Sequence, residues 1–432
     1  MKKMRNAALL TLVLTLCLMM ASLISGAAEE YTYKDLTYYI KDGKAYVTGI
    51  TATADDVVVP AKIGDYEVCV DEFRIADSYN PTSLTFEEGI HMDSYDLWRS
   101  GPIKKLSLPS GVIHIDDSRV TTIVTLEEIE IHKDNKVYTS VDGVLFDKDM
   151  TKLICYPSAK EGESYKIPDS VKTVGAQAFY NTKIVNLDLG NGLETIEHSG
   201  FNSMKQLKNI TFGDSLKTVG IGAFQGCASL ESIDLPESVE GYASECFANC
   251  TSLKNVTLPK NIKRISASMF SNCIALEKID FPESVRIIGD RAFSNTGFKE
   301  LTLPEGIESV GNYAFSECKA LTKVHMPKSI SDYGYGDTFS DCVNLTEVNF
   351  AEGAKVLALS MFGNCTGLKK VTIPSSVEEL PSYIFFACKA LEEVNLNEGL
   401  RCIRGGAFTN CASLKTIILP GSIEKIVGDA FK

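Results

Sequence analysis

The sequence predicts a repeat solenoid with a continuous parallel β-sheet along one face. Three observations predict it. Phenylalanines at 179, 201, 224, 247, 270, 293, 315, 339, 362, 385, 408 and 431 recur every 22 to 24 residues, mostly every 23, and a period of that length marks stacked supersecondary units. The pattern F-x-x-C-x-x-L-x-x-I-x-L-P-x-x-V travels with them, as from Phe224 to Val239. Each copy holds a short alternating run such as Ile233-Asp234-Leu235, closed by Pro236, which lacks the N–H that a ladder needs.

A globular chain of 432 residues would form two or three domains, but a repeat array grows by adding coils, so one continuous body is expected. Composition, at 44% hydrophobic and 23% charged, is that of an ordered protein. Lys2, Lys3 and Arg5 precede an apolar run from Ala7 to Ile24, and Ser25-Gly26-Ala27-Ala28 offers small residues for cleavage. Residues 1–27 therefore read as a signal peptide and the protein as exported. Leu16 before Cys17 argues against a lipoprotein, and no second spanning run follows, so no transmembrane segment is expected after cleavage. Cleavage would take the net charge from −13 to −16, which disfavours nucleic acid and anionic membrane as partners.

Residues 28–71 read as an N-terminal β cap. Thr37–Ile40 and Ala45–Thr48 flank Asp42-Gly43, the dipeptide that supplies the positive φ angles of a tight hairpin. The array is assigned to residues 72–432. Degenerate coils come first, with strand cores at Leu84–Phe86, Leu106–Leu108 and Ile129–Ile131. Between Ile131 and Ile167 the spacing is 36, one period plus about 13 residues. The surplus, near 136–166, holds Val141–Phe146 and Lys152–Tyr156 around a polar turn, and reads as a protruding hairpin that either carries contacts or braces the array.

From Ile167 the strand cores end at Leu189, Phe212, Leu235, Leu258, Phe281, Leu303, Met326, Phe350, Ile373, Leu396 and Leu419. Parallel neighbours lie about 4.8 Å apart, so each alignment column becomes a file in space. The phenylalanine file is then a buried spine, each ring gaining about 2–3 kcal/mol on leaving water. Where the period shortens by one residue, at Asn181-Thr182-Lys183 and Asn295-Thr296-Gly297, the cysteine is missing too.

This pattern resembles the leucine-rich repeats of the BspA-like, or Treponema-type, family of surface proteins. Cys227-x-x-Leu230-x-x-Ile233-x-Leu235-Pro236 carries the likeness, with at least partial copies from about Leu84 to Lys432. Ser140–Phe146 and Ile167–Val171 also look like that family. Ser238 and its equivalents stand where other leucine-rich repeats place asparagine. The resemblance implies a right-handed leucine-rich-repeat array, secreted or held at a bacterial surface, that binds host or neighbouring-cell proteins.

Cys227, Cys250, Cys273, Cys318, Cys342, Cys365, Cys388 and Cys411 share one column. Adjacent rungs lie within Cα reach of a disulfide, yet parallel Cβ vectors in runs of three and five would leave odd thiols over. Buried unpaired thiols are the preferred reading, disulfides and zinc the rivals. Five scattered histidines at 91, 114, 132, 198 and 325 form no metal-ligand or nucleophile–base spacing. No catalytic constellation, metal site or cofactor is expected.

The outward strand positions are more informative. Lys278, Glu300, Lys323, Glu347, Lys370 and Glu393 alternate in sign over six rungs, which avoids like charges side by side. The other outer column includes Asp234, Asp280 and His325. These files either keep the sheet soluble and in register or form a polar recognition face. Tyr333, Tyr335 and Trp98 are candidate aromatic contacts. The sequons at Asn209, Asn249, Asn255, Asn344 and Asn364 read as chance. The chain stops after a repeat's phenylalanine, which suggests a truncation or an edge that needs a partner. A protein-binding adhesin is the leading function. Glycan binding is the alternative, favoured by aromatic side chains clustered on one exposed face; an enzyme would need a deep pocket with facing carboxylates.

Overall fold

The computed structural model describes residues 29–51, 54–75, 81–92, 94–95, 97–98, 103–115 and 117–432. They fall in two compact units, residues 1–149 and 150–432. The leader read at residues 1–27 lies outside the described residues. Among the described residues the one helix is the single turn Asp117–Val120; everything else regular is β.

In the first unit, turn chemistry and alternation decide the order of elements. Leu36–Lys41 and Lys44–Ile50 form an antiparallel hairpin across Asp42 and Gly43, whose φ angles are 52° and 74°. Lys44–Ile50 then pairs parallel with Tyr66–Arg74. Asp56–Val59, Ser83–Phe86, Lys105–Leu108 and Glu128–Ile131 lie side by side, all parallel. Period-two alternation turns Val57, Leu84, Leu106 and Ile129 inward, each 1% exposed or less. The first of these rungs lies inside the stretch read as cap.

The inserted segment contains a covered strand. Tyr138–Val141 and Val144–Asp147 form a hairpin about Asp142-Gly143, and Val144, Leu145 and Phe146 are buried to 1% or less. Three consecutive apolar residues make a strand that is covered on both sides. Lys152–Cys155 is a rung of the second unit, parallel to Thr173–Val174.

Each coil of the second unit has three sides. One carries the expected short strands. Ser164–Lys166, Asn186–Asp188 and Asn209–Thr211 pair in parallel, as do Ser232–Asp234 with Asn255–Thr257. Glu300–Thr302, Lys323–Met326 and Glu347–Phe350 follow, then Lys370–Thr372 with Glu393–Asn395. Central residues such as Leu187, Ile233, Leu301, Val324 and Val371 are buried, and each strand's outer residues face solvent.

A second ladder of two-residue strands runs along another side, unanticipated from the sequence. Thr173–Val174, Thr195–Ile196, Thr218–Val219 and Gly241–Tyr242 stack in register, and Arg264–Ile265, Ile287–Ile288 and Ser309–Val310 do the same farther along. Two residues are too few to display an alternation that could be read in advance.

The third side is the phenylalanine turn. Successive rings from Phe179 to Phe431 have centroids 5.0 to 5.7 Å apart. From Phe201 onward neighbouring planes agree within 17°. Centroid spacings wider than the rung spacing of about 4.8 Å mean offset stacking, which the ring quadrupole prefers to a face-to-face sandwich. Residues two before and two after each phenylalanine take positive φ, as at Glu245 (63°) and Asn249 (62°) or Ser268 (53°) and Asn272 (60°). This twist aims alternate amides at the next coil: Glu245, Phe247 and Asn249 donate to the carbonyls of Ala267, Met269 and Ser271 at 2.9, 3.0 and 2.8 Å. The turn thereby becomes a ladder of its own.

Candidate binding face

Alternating charge on stacked strands should give ion pairs, and it does in two pieces. Glu300, Lys323 and Glu347 lie in one file on three paired strands, with Lys323 Nζ 2.8 Å from Glu347 Oε1. Lys370 and Glu393 form the second piece at 2.6 Å. The hydrogen bond from Lys323, aided by Asn349 Nδ2 at 2.7 Å, holds the Glu347 carboxyl below its ordinary range. Lys370 does the same for Glu393, and Glu347 raises the Lys323 ammonium. Between the pieces, Glu347, Asn349, Lys370 and Thr372 line a groove of about 320 Å³.

Lys278 is not drawn into this file. It and Asp280 are exposed on a coil that forms no strand on this side. Lys278 instead lines a groove of about 690 Å³ with Lys254, Glu277, Lys299 and Glu300. Asp234 is exposed opposite Thr257, and His325 stands half-buried between Thr302 and Asn349. A further file went unread in the sequence. Glu231 pairs with Lys254 at 2.9 Å, and Glu277 with Lys299 at 2.7 Å. Their alternation at the repeat period was the available signal.

The aromatic candidates separate. Tyr333 is 4% exposed and Tyr335 is 89% exposed, though one residue lies between them. Tyr333 therefore packs in the core, where burial pushes its phenol up, and it is not a surface contact. Trp98 pairs through its backbone with Arg74, and its side chain lies outside the described residues. Tyr313 and Tyr383, 37% and 49% exposed, were missed. Nothing in their codes distinguishes them from core tyrosines.

The cysteine column consists of unpaired thiols. Each donates to the carbonyl of the preceding coil's phenylalanine, from Cys227 on Phe201 at 3.4 Å to Cys411 on Phe385 at 3.1 Å. Burial pushes the Cys250 thiol up to about 12 and that of Cys411 to about 11. Where the column holds Thr296, its Oγ1 donates to the Phe293 carbonyl at 3.0 Å. The sequons at Asn249 and Asn364 have a structural origin: both sit at the positive-φ position after phenylalanine, which asparagine tolerates better than most residues.

Among the described residues no cluster of three His, Cys, Asp or Glu could hold a metal ion, and no helix is long and apolar enough to cross a membrane. His91 lies 3.1 Å from Glu67, and His132 lies 3.6 Å from Glu88.

The model of the BspA type leucine-rich repeat region matches the chain in overlapping stretches that together run from residue 154 to 432. Among solved structures, a leucine-rich repeat protein from Bacteroides ovatus is 22% identical, with 89% of this chain and 93% of that one covered at a TM-score of 0.54. This likeness is one of fold. The pneumococcal vaccine antigen PcpA is 18% identical over 66% of this chain and 93% of its own, at a TM-score of 0.37. A leucine-rich cell surface protein from Faecalibacterium prausnitzii is 17% identical over 93% and 94%, at 0.34. No curated protein matches the chain.

Proposed function

The chain belongs to the BspA-type leucine-rich repeat family, and from that premise we propose that it is an extracellular or cell-surface scaffold that binds other proteins. Its finer role in this reading is that of an adhesin recognising host or neighbouring-cell proteins through the strand side of its coils. Export rests on the leader-like run at residues 1–27.

The observation that carries the proposal is the charged file of Glu300, Lys323, Glu347, Lys370 and Glu393, held on strands whose inner residues are buried. Solvent-exposed ion pairs add little to stability. A rigid surface of alternating sign does set which partner fits, because a mismatched charge costs more than a matched one gains. Near-balance along this file favours a shape-matched partner over simple electrostatic capture.

The test is surface-immobilised binding of the mature protein to a panel of extracellular-matrix and cell-surface proteins, repeated with Lys323→Glu and Lys370→Glu. Saturable binding that both substitutions weaken is expected. Equal binding by wild type and variants would remove the strand side from the interface. Absence of binding across the panel would remove the adhesin role.

A further inference from the structure

The corner between each coil's second strand and its phenylalanine carries a row of exposed side chains that the strand-side reading leaves unused. Tyr313, Tyr335, Leu359 and Tyr383 are 37%, 89%, 44% and 49% exposed. They occupy four successive coils. Tyr313 N–H donates to the Gly336 carbonyl at 3.2 Å, Asp337 N–H to that of Leu359 at 2.9 Å, and Ser360 N–H to that of Ser382 at 3.1 Å. With about 4.8 Å per rung, the row is about 14 Å long. At both ends one ring face rests on the chain itself: the Arg291 guanidinium lies 5.1 Å from the Tyr313 ring centroid, and the Tyr383 ring lies across Gly406.

The display of Tyr335 is built in. Phe315 to Phe339 is a repeat of 24 residues, and the surplus residue falls in this corner. A Cβ on Gly334 (φ +58°) would sit 2.8 Å from Asn312 Oδ1, and one on Gly336 (φ +123°) would sit 2.0 Å from the Leu359 carbonyl oxygen. Only glycine fits at 336, and at 334 a side chain would push Asn312 aside. Asn312 Oδ1 accepts the N–H groups of Tyr335 and Gly336, and Asp290 Oδ1 in turn accepts from the Asn312 backbone at 2.8 Å. Asp332 Oδ1 accepts the Gly334 N–H at 2.9 Å. A ring held out on a fixed loop binds without the entropy cost of ordering that loop.

We infer that this corner binds carbohydrate, and that its ligand is a neutral polysaccharide lying along the row of coils. The faces of a pyranose ring present C–H groups of slight positive charge, which match the negative face of a tyrosine ring. One sugar of an extended chain is about as long as one rung, so successive sugars meet successive coils. Beside the rings, Asp332, Asp337, Ser360, Ser382 and Arg291 offer donors and acceptors for hydroxyl groups. Two of those five are acidic and one is basic, a poor surface for a polyanionic glycan.

The experiment is affinity electrophoresis of the full chain through gels containing mixed-linkage β-glucan, galactomannan or arabinoxylan. At least one neutral polysaccharide should retard the wild type. Tyr335→Ala should weaken that retardation about tenfold, the loss of one stacked ring. Tyr335→Phe should keep it, and Lys370→Glu on the strand side should leave it unchanged. An unaltered melting curve for Tyr335→Ala will show that the fold is intact. The inference is overturned if none of the three polysaccharides retards the chain, if Tyr335→Ala migrates like wild type, or if Tyr335→Ala abolishes capture of a protein instead. Tyr335 and Lys370 stand on different sides of their coils, so these outcomes leave the protein-binding proposal to its own test.

Discussion

The thiol of Cys250 donates to the main-chain carbonyl of Phe224, one coil earlier, at 3.3 Å. That carbonyl already accepts the N–H of Cys227 at 3.3 Å, so the thiol occupies its second lone pair. A small apolar side chain with a weak donor suits this place. The cysteine column is thereby tied to the phenylalanine column, and its role is structural.

Thiol labelling follows from this arrangement. The thiolate is the reactive form, and burial raises the thiols of Cys246 and Cys250 to about 12. At pH 8 the fully buried column thiols should resist labelling in the folded chain and all react after unfolding without reductant. Counting labels by mass spectrometry checks this; a column still unlabelled after unfolding would mean disulfides.

The ring stack should be costly to interrupt. Phe270 is fully buried between Phe247 and Phe293, at 5.7 and 5.5 Å. Phe270→Ala should lower stability by about 3–5 kcal/mol, from lost transfer energy and the cavity left behind. Chemical denaturation of the variant measures it.

Backbone conformation, more than side-chain contact, should govern the positions flanking each phenylalanine. Asn272 has φ 60° and links by its amide to Asn249 and Asn295, each at 2.9 Å. Asn272→Val should cost about 1–2 kcal/mol, because a β-branched residue is strained in that region. Asn272→Gly should cost less, since glycine adopts the conformation freely. The difference between their melting temperatures is the readout.

Acid should weaken the charged file in a defined direction. Glu347 and Glu393 titrate below 4.5 when folded, chiefly through hydrogen bonds from Lys323 and Lys370. The unfolded chain therefore takes up protons first as pH falls. The contribution is present above about 4.5 and is lost as pH drops through the folded values. Both groups are exposed, so added salt should shrink the effect. Urea unfolding between pH 6 and 3 at low and high salt checks the sign, and Glu347→Gln should flatten the pH dependence.

The files were legible because their signal is a period. Leu84, Leu106 and Ile129, and the phenylalanines from 179 onward, lie where equal chain lengths return the backbone to the same side of the coil. The positive-φ sites were not legible. Ser199, Glu245, Arg291 and Tyr313 share a conformation but no side-chain type, because the demand falls on the backbone. Lys278 kept its place in the charge alternation yet formed no strand on that side, since a column fixes phase and not pairing.

Sequence by itself determined which residues share a file and which of them face inward, because both follow from repeat length and the two-residue period of a strand. Tertiary structure alone decided which members of a file touch, where the second ladder runs, and that Tyr335 rather than Tyr333 meets solvent. The physical reason is local. One surplus residue in a corner lets Tyr335 stand out in water, while Tyr333 keeps the buried place of Val310 one coil earlier.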